Sequence, residues 1–239
     1  PIQQQIVSEL DTLSDIISKK KQQLADLDIL AQATFYEMFG DPVSNEKGWK
    51  FKKLADICVN IVDCPHSTPK KVDIPTPYPC IRTSELKKGQ IVWKSMQYTD
   101  KDEYENRIKR LIPQKGDIVY GREGTYGDAV CLPNSHNFSL GQRTMLFRPN
   151  IIIVNSIYLL HIVISDYVYQ QAKNNNSGST VGHVNVSDIK KFSIPIPPLT
   201  LQNQFSERIE SIEEQKSLIN KSLADVQHLF DYTMDRYFN

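Results

Sequence analysis

The chain has 239 residues, 40% of them hydrophobic and 23% charged, which is enough for a real core in one large domain or two small ones. Lysine plus arginine and aspartate plus glutamate each total 28, so the formal net charge is zero and a uniformly basic nucleic-acid binder is excluded. No apolar run approaches the roughly 18 residues that cross a bilayer and no signal segment opens the chain, so the expectation is a soluble, cytoplasmic protein with no membrane partner.

Residues 1 to 40 carry a seam at alternating spacings of four and three: Ile6, Leu10, Leu13, Ile17, Lys20, Leu24, Leu27, Ala31, Thr34 and Met38. That is the pattern of a coiled coil. Without an internal proline or glycine it predicts one helix, and 38 residues at roughly 1.5 Å each span about 57 Å.

Residues 41 to 200 differ in kind, holding nine of the ten glycines and twelve of the thirteen prolines. Short β-rich runs at Gln90-Ile91-Val92-Trp93, Asp117-Ile118-Val119-Tyr120 and Thr144-Met145-Leu146-Phe147 are bounded by turn residues, which predicts a mixed α/β domain. Cys58, Cys64, Cys80 and Cys131 are spaced too irregularly for paired C-x-x-C zinc ligation and read as reduced, partly buried thiols.

The glycine cluster from Gly116 to Gly127 has Arg122 and Glu123 where a phosphate-binding Walker loop needs Lys and then Ser or Thr. It predicts strand, tight turn, strand, with Gly121, Gly124 and Gly127 permitting unusual backbone and Arg122 displayed at the tip. An arginine there binds phosphate or forks onto guanine; its other reading is an ion pair with Glu123 or another neighbour. Residues 151 to 172 are apolar and aromatic, predicting a helix over 156 to 173 capped by Asn155 or Ser156. The small polar residues from Lys173 to Asn185 fit either a groove-facing loop or a linker.

Residues 201 to 239 repeat residues 2 to 40 without gaps at an offset of 199, pairing Gln3 with Gln202, Leu24-Ala25-Asp26 with Leu223-Ala224-Asp225 and Phe39 with Phe238. Their seam reads Phe205, Ile209, Ile212, Lys216, Ile219, Leu223, Val226, Phe230, Thr233 and Tyr237. Each seam needs a partner, and a chain that leaves along one helix and returns along the other favours an antiparallel pair. Lys20 and Lys216 interrupt the seams. They either fix register or lay their stems along the seam with the amines in water.

Charge separates by segment. Residues 1 to 40 have three basic and six acidic side chains, residues 201 to 239 have four and seven, and the centre has 21 and 15. The neutral total therefore conceals a domain of net plus six between arms of minus three each. A cationic centre suits a polyanion.

Several pieces form one ordered set: Gly48-Trp49-Lys50 with Leu54-Ala55-Asp56-Ile57; Pro79-Cys80-Ile81-Arg82-Thr83-Ser84-Glu85-Leu86-Lys87-Lys88-Gly89; Lys115-Gly116-Asp117-Ile118-Val119 through Gly127; Val186-Ser187-Asp188-Ile189; Ile194-Pro195-Ile196-Pro197-Pro198-Leu199; and Gln202-Asn203-Gln204. The set resembles the DNA-specificity (S) subunits of type I restriction-modification enzymes. The resemblance implies an α+β target-recognition domain over residues 41 to 200, flanked by conserved spacer helices over 1 to 40 and 201 to 239 that form an antiparallel coiled coil. It also implies a noncatalytic subunit that reads half of a bipartite site in double-stranded DNA. Its partners would be methyltransferase (M) subunits, docked on the helices, and a restriction (R) subunit. This chain would carry no cofactor, with S-adenosylmethionine, ATP and magnesium on the partners. Because such subunits usually hold two recognition domains, the chain is expected to be the second half of a longer subunit or a half subunit that forms a homodimer.

Base-reading residues do not transfer from the resemblance, so candidates rest on charge, position and side-chain type. Lys50, Lys52, Lys53, Lys70, Lys71, Lys87, Lys88 and Lys173 are expected on phosphates, and Arg82, Ser84, Arg122, Gln142, Arg143, Asn175, His183 and Asn185 on bases. Two other classes stand beside this one. Asp73 with Glu85-Leu86-Lys87 has the spacing of a magnesium-dependent DNA nuclease, and the helices alone would suit a coiled-coil adaptor. Cys64-Pro65-His66 reads as a structural cysteine and a loop histidine.

Overall fold

The computed structural model describes residues 2 to 124, 127 to 174 and 183 to 238. Its elements are α1 (Ile2–Phe39), β1 (Lys50–Lys53), α2 (Leu54–Ile57), β2 (Cys58–Asp63), β3 (Lys71–Val72), β4 (Pro79–Ile81), β5 (Leu86–Lys87), β6 (Gln90–Ile91), β7 (Gln97–Thr99) and α3 (Lys101–Arg107). They continue with β8 (Ile118–Gly121), β9 (Ala129–Cys131), β10 (Ser139–Leu140), β11 (Thr144–Pro149), α4 (Ser156–Val163), α5 (Asp166–Asn174), α6 (Val186–Ile189), β12 (Ser193–Ile196) and α7 (Leu199–Phe238). Single helical turns at Thr83–Glu85 and Trp93–Ser95 flank β5 and β6. The chain divides into a helical unit, Pro1–Met38 with Gln204–Asn239, and a head, Phe39–Asn203.

In the helical unit α1 and α7 run antiparallel. Phe35 meets Phe205 edge-on at 5.7 Å between ring centres, and Lys216 reaches Asp28. All ten seam positions predicted on each helix are buried or half-buried, whereas most of the residues between them are exposed. The narrow stripe is therefore spent on the partner helix. Lys216 is 6% exposed, and its Nζ lies 2.7 Å from both Asp28 Oδ1 and Glu213 Oε1. Burial acts to lower its pKa, but the hydrogen bonds to the two carboxylates carry it above the usual lysine range. Of the two readings of Lys216, the amine left in water is not the one observed: it is paired across the helices with Asp28. Lys20 is half-buried.

In the head, one antiparallel sheet has the order β2-β11-β8-β9 and a second has the order β10-β4-β7-β3. Val119, Val130 and Leu146 of the first pack with Ile81 and Leu140 of the second in one core. On the opposite face Tyr120 lies 5.4 Å from Phe147 and 6.2 Å from Phe192. Both faces are covered, so β8 and β11 read as continuous apolar runs rather than as alternation. Two polar anchors hold this frame. Asp117 accepts from Arg148 Nε at 2.8 Å and Nη2 at 2.7 Å and from the Gln114 amide at 2.8 Å. Gln202, fully buried, accepts from the Asn155 amide at 2.8 Å and donates to the Pro197 carbonyl at 2.8 Å. The motifs containing Asp117 and Gln202 thus build the fold.

The single helix expected over 156 to 173 is two. Ile164 closes α4, and Ser165 turns back, its hydroxyl donating to the Ile162 carbonyl at 2.6 Å and its carbonyl starting α5. Asn155 caps α4 as expected, its side chain accepting from the Ile157 and Tyr158 amides. The run from Gln90 is a strand only through Ile91 before the chain turns at Trp93. All four cysteines are free, and burial pushes the Cys58 and Cys131 thiols up to about 12.

Lys216→Glu sets a third carboxylate between Asp28 and Glu213 and should destabilise the chain by about 2 kcal/mol, whereas Lys216→Met should be nearly neutral. Thermal unfolding followed by circular dichroism at 222 nm checks both.

Candidate nucleic-acid interface

Three strands of the first sheet bring their ends together. In the antiparallel register Met145 lies opposite Asp63 and Tyr120, and Thr144 lies opposite Gly121. The segments after β2, after β8 and before β11 therefore converge on one edge, and the backbone knits them. The Arg122 amide donates to the Arg143 carbonyl at 3.0 Å, and the Val184 amide donates to the Arg122 carbonyl at 3.0 Å. Glu123 and His183 form an isolated antiparallel bridge.

The side chains at this edge form one charged network. Arg122 makes a two-pronged pair with Asp63, Nε to Oδ1 at 3.0 Å and Nη2 to Oδ2 at 3.3 Å. Its Nη1 lies 3.3 Å from His183 Nε2 and 3.4 Å from Glu123 Oε1. Arg143 Nε reaches Glu123 Oε2 at 3.3 Å, His183 Nδ1 reaches Glu123 Oε1 at 2.9 Å, and His66 Nε2 lies 3.4 Å from Asp63 Oδ2. Gln142 Nε2 donates to the His66 carbonyl at 2.7 Å.

The display of Arg122 at a turn tip is corrected. The residue is 5% exposed, because a guanidinium at the end of β8 is satisfied by Asp63 of β2, 59 residues away. Gly124 and Gly127 do adopt positive φ, at 72° and 99°, while Gly121 does not. The arginine offered to solvent is Arg143, whose side chain is 61% exposed. Its φ of 67° is left-handed, a conformation that costs a non-glycine residue about 1 kcal/mol and turns the side chain out of the strand line.

The other candidates divide by place. Arg82 lies against Gly141 of the 141 to 143 turn, but Arg82 Nη2 at 2.6 Å and Ser84 Oγ at 2.8 Å both donate to Glu85, which is fully buried. Lys87 and Lys88 are exposed beside the start of β9, the Lys88 amide donating to Asp128 at 3.0 Å. Lys173 is exposed near the end of α5. Asn185 is exposed at the start of α6, its amide 3.5 Å from Asp188. Lys50, Lys52 and Lys53 are exposed on β1, which pairs with β12 in a separate two-stranded sheet, and Lys70 and Lys71 are exposed at the outer strand of the second sheet. Asn175 lies outside the described residues. Reasoning from sequence named Glu123 only as an ion-pair partner of Arg122, a pair that is observed, and missed Asp63 and His66 at this edge.

The nuclease spacing is not a metal site. Glu85 is consumed by Arg82 and Ser84 inside the head while Asp73 is exposed, and among the described residues no three His, Cys, Asp or Glu side chains are gathered to hold a metal ion. Among the described residues no helix is long and apolar enough to cross a membrane.

Gly141 sets the turn that carries Gln142 and Arg143. Its amide donates to the Ile81 carbonyl at 2.6 Å, and an added Cβ would strike the Arg82 side chain and lie 2.8 Å from that carbonyl. Gly141→Ala should therefore lower stability by about 1 to 3 kcal/mol. Arg122→Ala, which takes from Asp63 its two-pronged guanidinium partner, should cost about 3 kcal/mol. Urea unfolding measures both.

Residues 46 to 228 match the family model described as type I restriction modification DNA specificity domain. The chain is similar to a putative type I restriction enzyme MjaX specificity subunit of Methanocaldococcus jannaschii, 26% identical over 187 residues that cover 73% of this chain and 42% of that protein. Its structure is similar to that of an HsdS subunit from Thermoanaerobacter tengcongensis, with a TM-score of 0.54 at 15% identity, covering 98% of this chain and 56% of that one. It is also similar to a type I restriction-modification system S subunit from M. genitalium, with a TM-score of 0.64 at 11% identity, covering 99% and 60%. The solved structures bear on the fold alone, and the chain spans less than two thirds of the length of each of these relatives.

Proposed function

The chain belongs to the type I restriction modification DNA specificity family, and from that membership we propose that it is a noncatalytic recognition module reading one half of a bipartite site in double-stranded DNA. The reading rests on one observation above all: Gln142, Arg143, Arg122 and His183 are brought to a single sheet end by three segments whose backbones are hydrogen-bonded to one another. Arginine forks onto guanine and glutamine onto adenine in the major groove, so an exposed Arg143 beside a half-buried Gln142 on a braced turn suits direct readout. Arg143 and Gln142 contact bases, and Arg122 works from behind, holding the edge to Asp63. The exposed lysines contribute attraction to phosphate that falls with salt.

The paired helices, each arm with three more acidic than basic residues, dock methyltransferase subunits. S-adenosylmethionine, ATP and magnesium act on those subunits and on a restriction subunit, and the complex works in the cytoplasm, where the chromosome is. A second recognition domain, in the same chain or in a second copy, reads the other half-site. The coiled-coil adaptor is the weaker reading, because it leaves the braced polar edge of the head without a use.

Copurification from the native cell tests the proposal. A methyltransferase should accompany the protein, and a defined set of genomic adenines should lose methylation when the gene is deleted. On a duplex taken from that set, Arg143→Ala should cost about 1 to 3 kcal/mol and relax preference at one base pair. Lys87→Ala with Lys88→Ala should weaken binding to every sequence alike and reduce the slope of log K against log salt by about 2. Binding that does not distinguish this duplex from a scrambled one at any salt would overturn the reading.

A further inference from the structure

A carboxylate stands where a DNA-facing surface has least electrostatic use for one. Glu123 repels phosphate, and Arg122 beside it is already paired two-pronged with Asp63. Nor is it a solvated surface charge, since its side chain is only 23% exposed. Yet both oxygens are engaged by groups from different segments: Oε1 by His183 Nδ1 at 2.9 Å and Arg122 Nη1 at 3.4 Å, Oε2 by Arg143 Nε at 3.3 Å. Arg143 is the most exposed of the three side chains that engage Glu123, and a free arginine has many rotamers to lose on binding. Holding it beforehand lowers that cost and limits where the guanidinium can reach.

We propose that Glu123 is a positioning residue for sequence discrimination, holding Arg143 and His183 so that they meet base edges at one register instead of closing on the nearest phosphates. The inference rests on the DNA-reading function proposed above. It predicts an exchange: without the carboxylate, attraction to any duplex rises while the advantage of the right one shrinks.

The test is equilibrium binding of the full chain, wild type and Glu123→Gln, to a target duplex and a scrambled duplex across a salt series. Glu123→Gln should bind the scrambled duplex about three- to tenfold more tightly, with a salt slope steeper by about 1. Its target-to-scrambled ratio should fall about tenfold. Glu123→Asp, which keeps the charge, should recover part of the ratio and serves also if the glutamine variant folds poorly. In an Arg143→Ala background Glu123→Gln should change the ratio much less, a dependence that a purely structural role would not show.

A wild-type chain that discriminates, beside a Glu123→Gln variant of the same ratio and slope, would overturn this inference and leave the DNA-reading function standing. So would a loss of preference confined to one cytosine-containing pair with no gain on scrambled DNA, because Glu123 would then be contacting the base itself. A wild type that binds no duplex at low salt would sink both.

Discussion

The pair between Asp63 and Arg122 exists because β2, β11 and β8 run antiparallel in a fixed register, and the whole edge of the head depends on it. A guanidinium that is nearly buried has to be neutralised where it sits, since an unpaired buried charge costs several kcal/mol. Asp63 does so by accepting from two N–H groups of the arginine, which fixes the plane of the guanidinium and leaves Nη1 to face His183 and Glu123. The main chain of the same residue bonds to Arg143 on one side and Val184 on the other. Side chain and backbone of Arg122 therefore brace four segments at once, and such bracing keeps an exposed neighbour in place.

The parts of this structure that were legible in the sequence are those governed by short-range regularity. The helices follow from the four-three spacing of residues such as Leu13, Ile17, Ile209 and Ile212, all of which are buried. Asn155 declares the start of α4 because its side chain caps amides two and three residues on. The break at Ser165 was hidden, since serine is compatible with a helix and only its hydrogen bond to the Ile162 carbonyl marks the turn. Hidden too was the partner of Arg122, because a pair separated by 59 residues is created by strand register and by nothing in the local sequence. Side-chain type nominated Arg122, Gln142, Arg143 and His183, which the fold brings to one edge. It could not separate Arg143, turned outward by a left-handed backbone, from Arg122, folded inward.

This separation of roles has an electrostatic counterpart. At the braced edge Arg122 and Arg143 are offset by Asp63 and Glu123, so the edge has little net charge when the histidines are neutral. The surplus of six in the centre of the chain includes the exposed lysines on β1, on β3 and around β5, which are spread over the head. Dispersed lysines attract a polyanion from a distance and in no preferred register. A nearly neutral, ordered edge adds little to that attraction but constrains which contacts can form once the polyanion is near. Affinity and discrimination would then rest on different residues, which is the physical content of placing a glutamate among the cations.

The helical unit raises a comparable question of register. Its two seams descend from one repeated sequence and resemble each other, so an antiparallel pairing shifted by one heptad would still set apolar side chains against apolar side chains. Lys216 and Asp28 break that degeneracy. The repeat offset places Ile17 at the position equivalent to Lys216, and Gln227 at the position equivalent to Asp28, so the mirror contact carries no ion pair. This alignment, with Glu213 closing on the same amine, thus has one polar contact that its mirror lacks. Replacing the lysine by an apolar residue would relieve its desolvation and keep the seam filled, so the contact is better understood as a choice of alignment than as a source of stability.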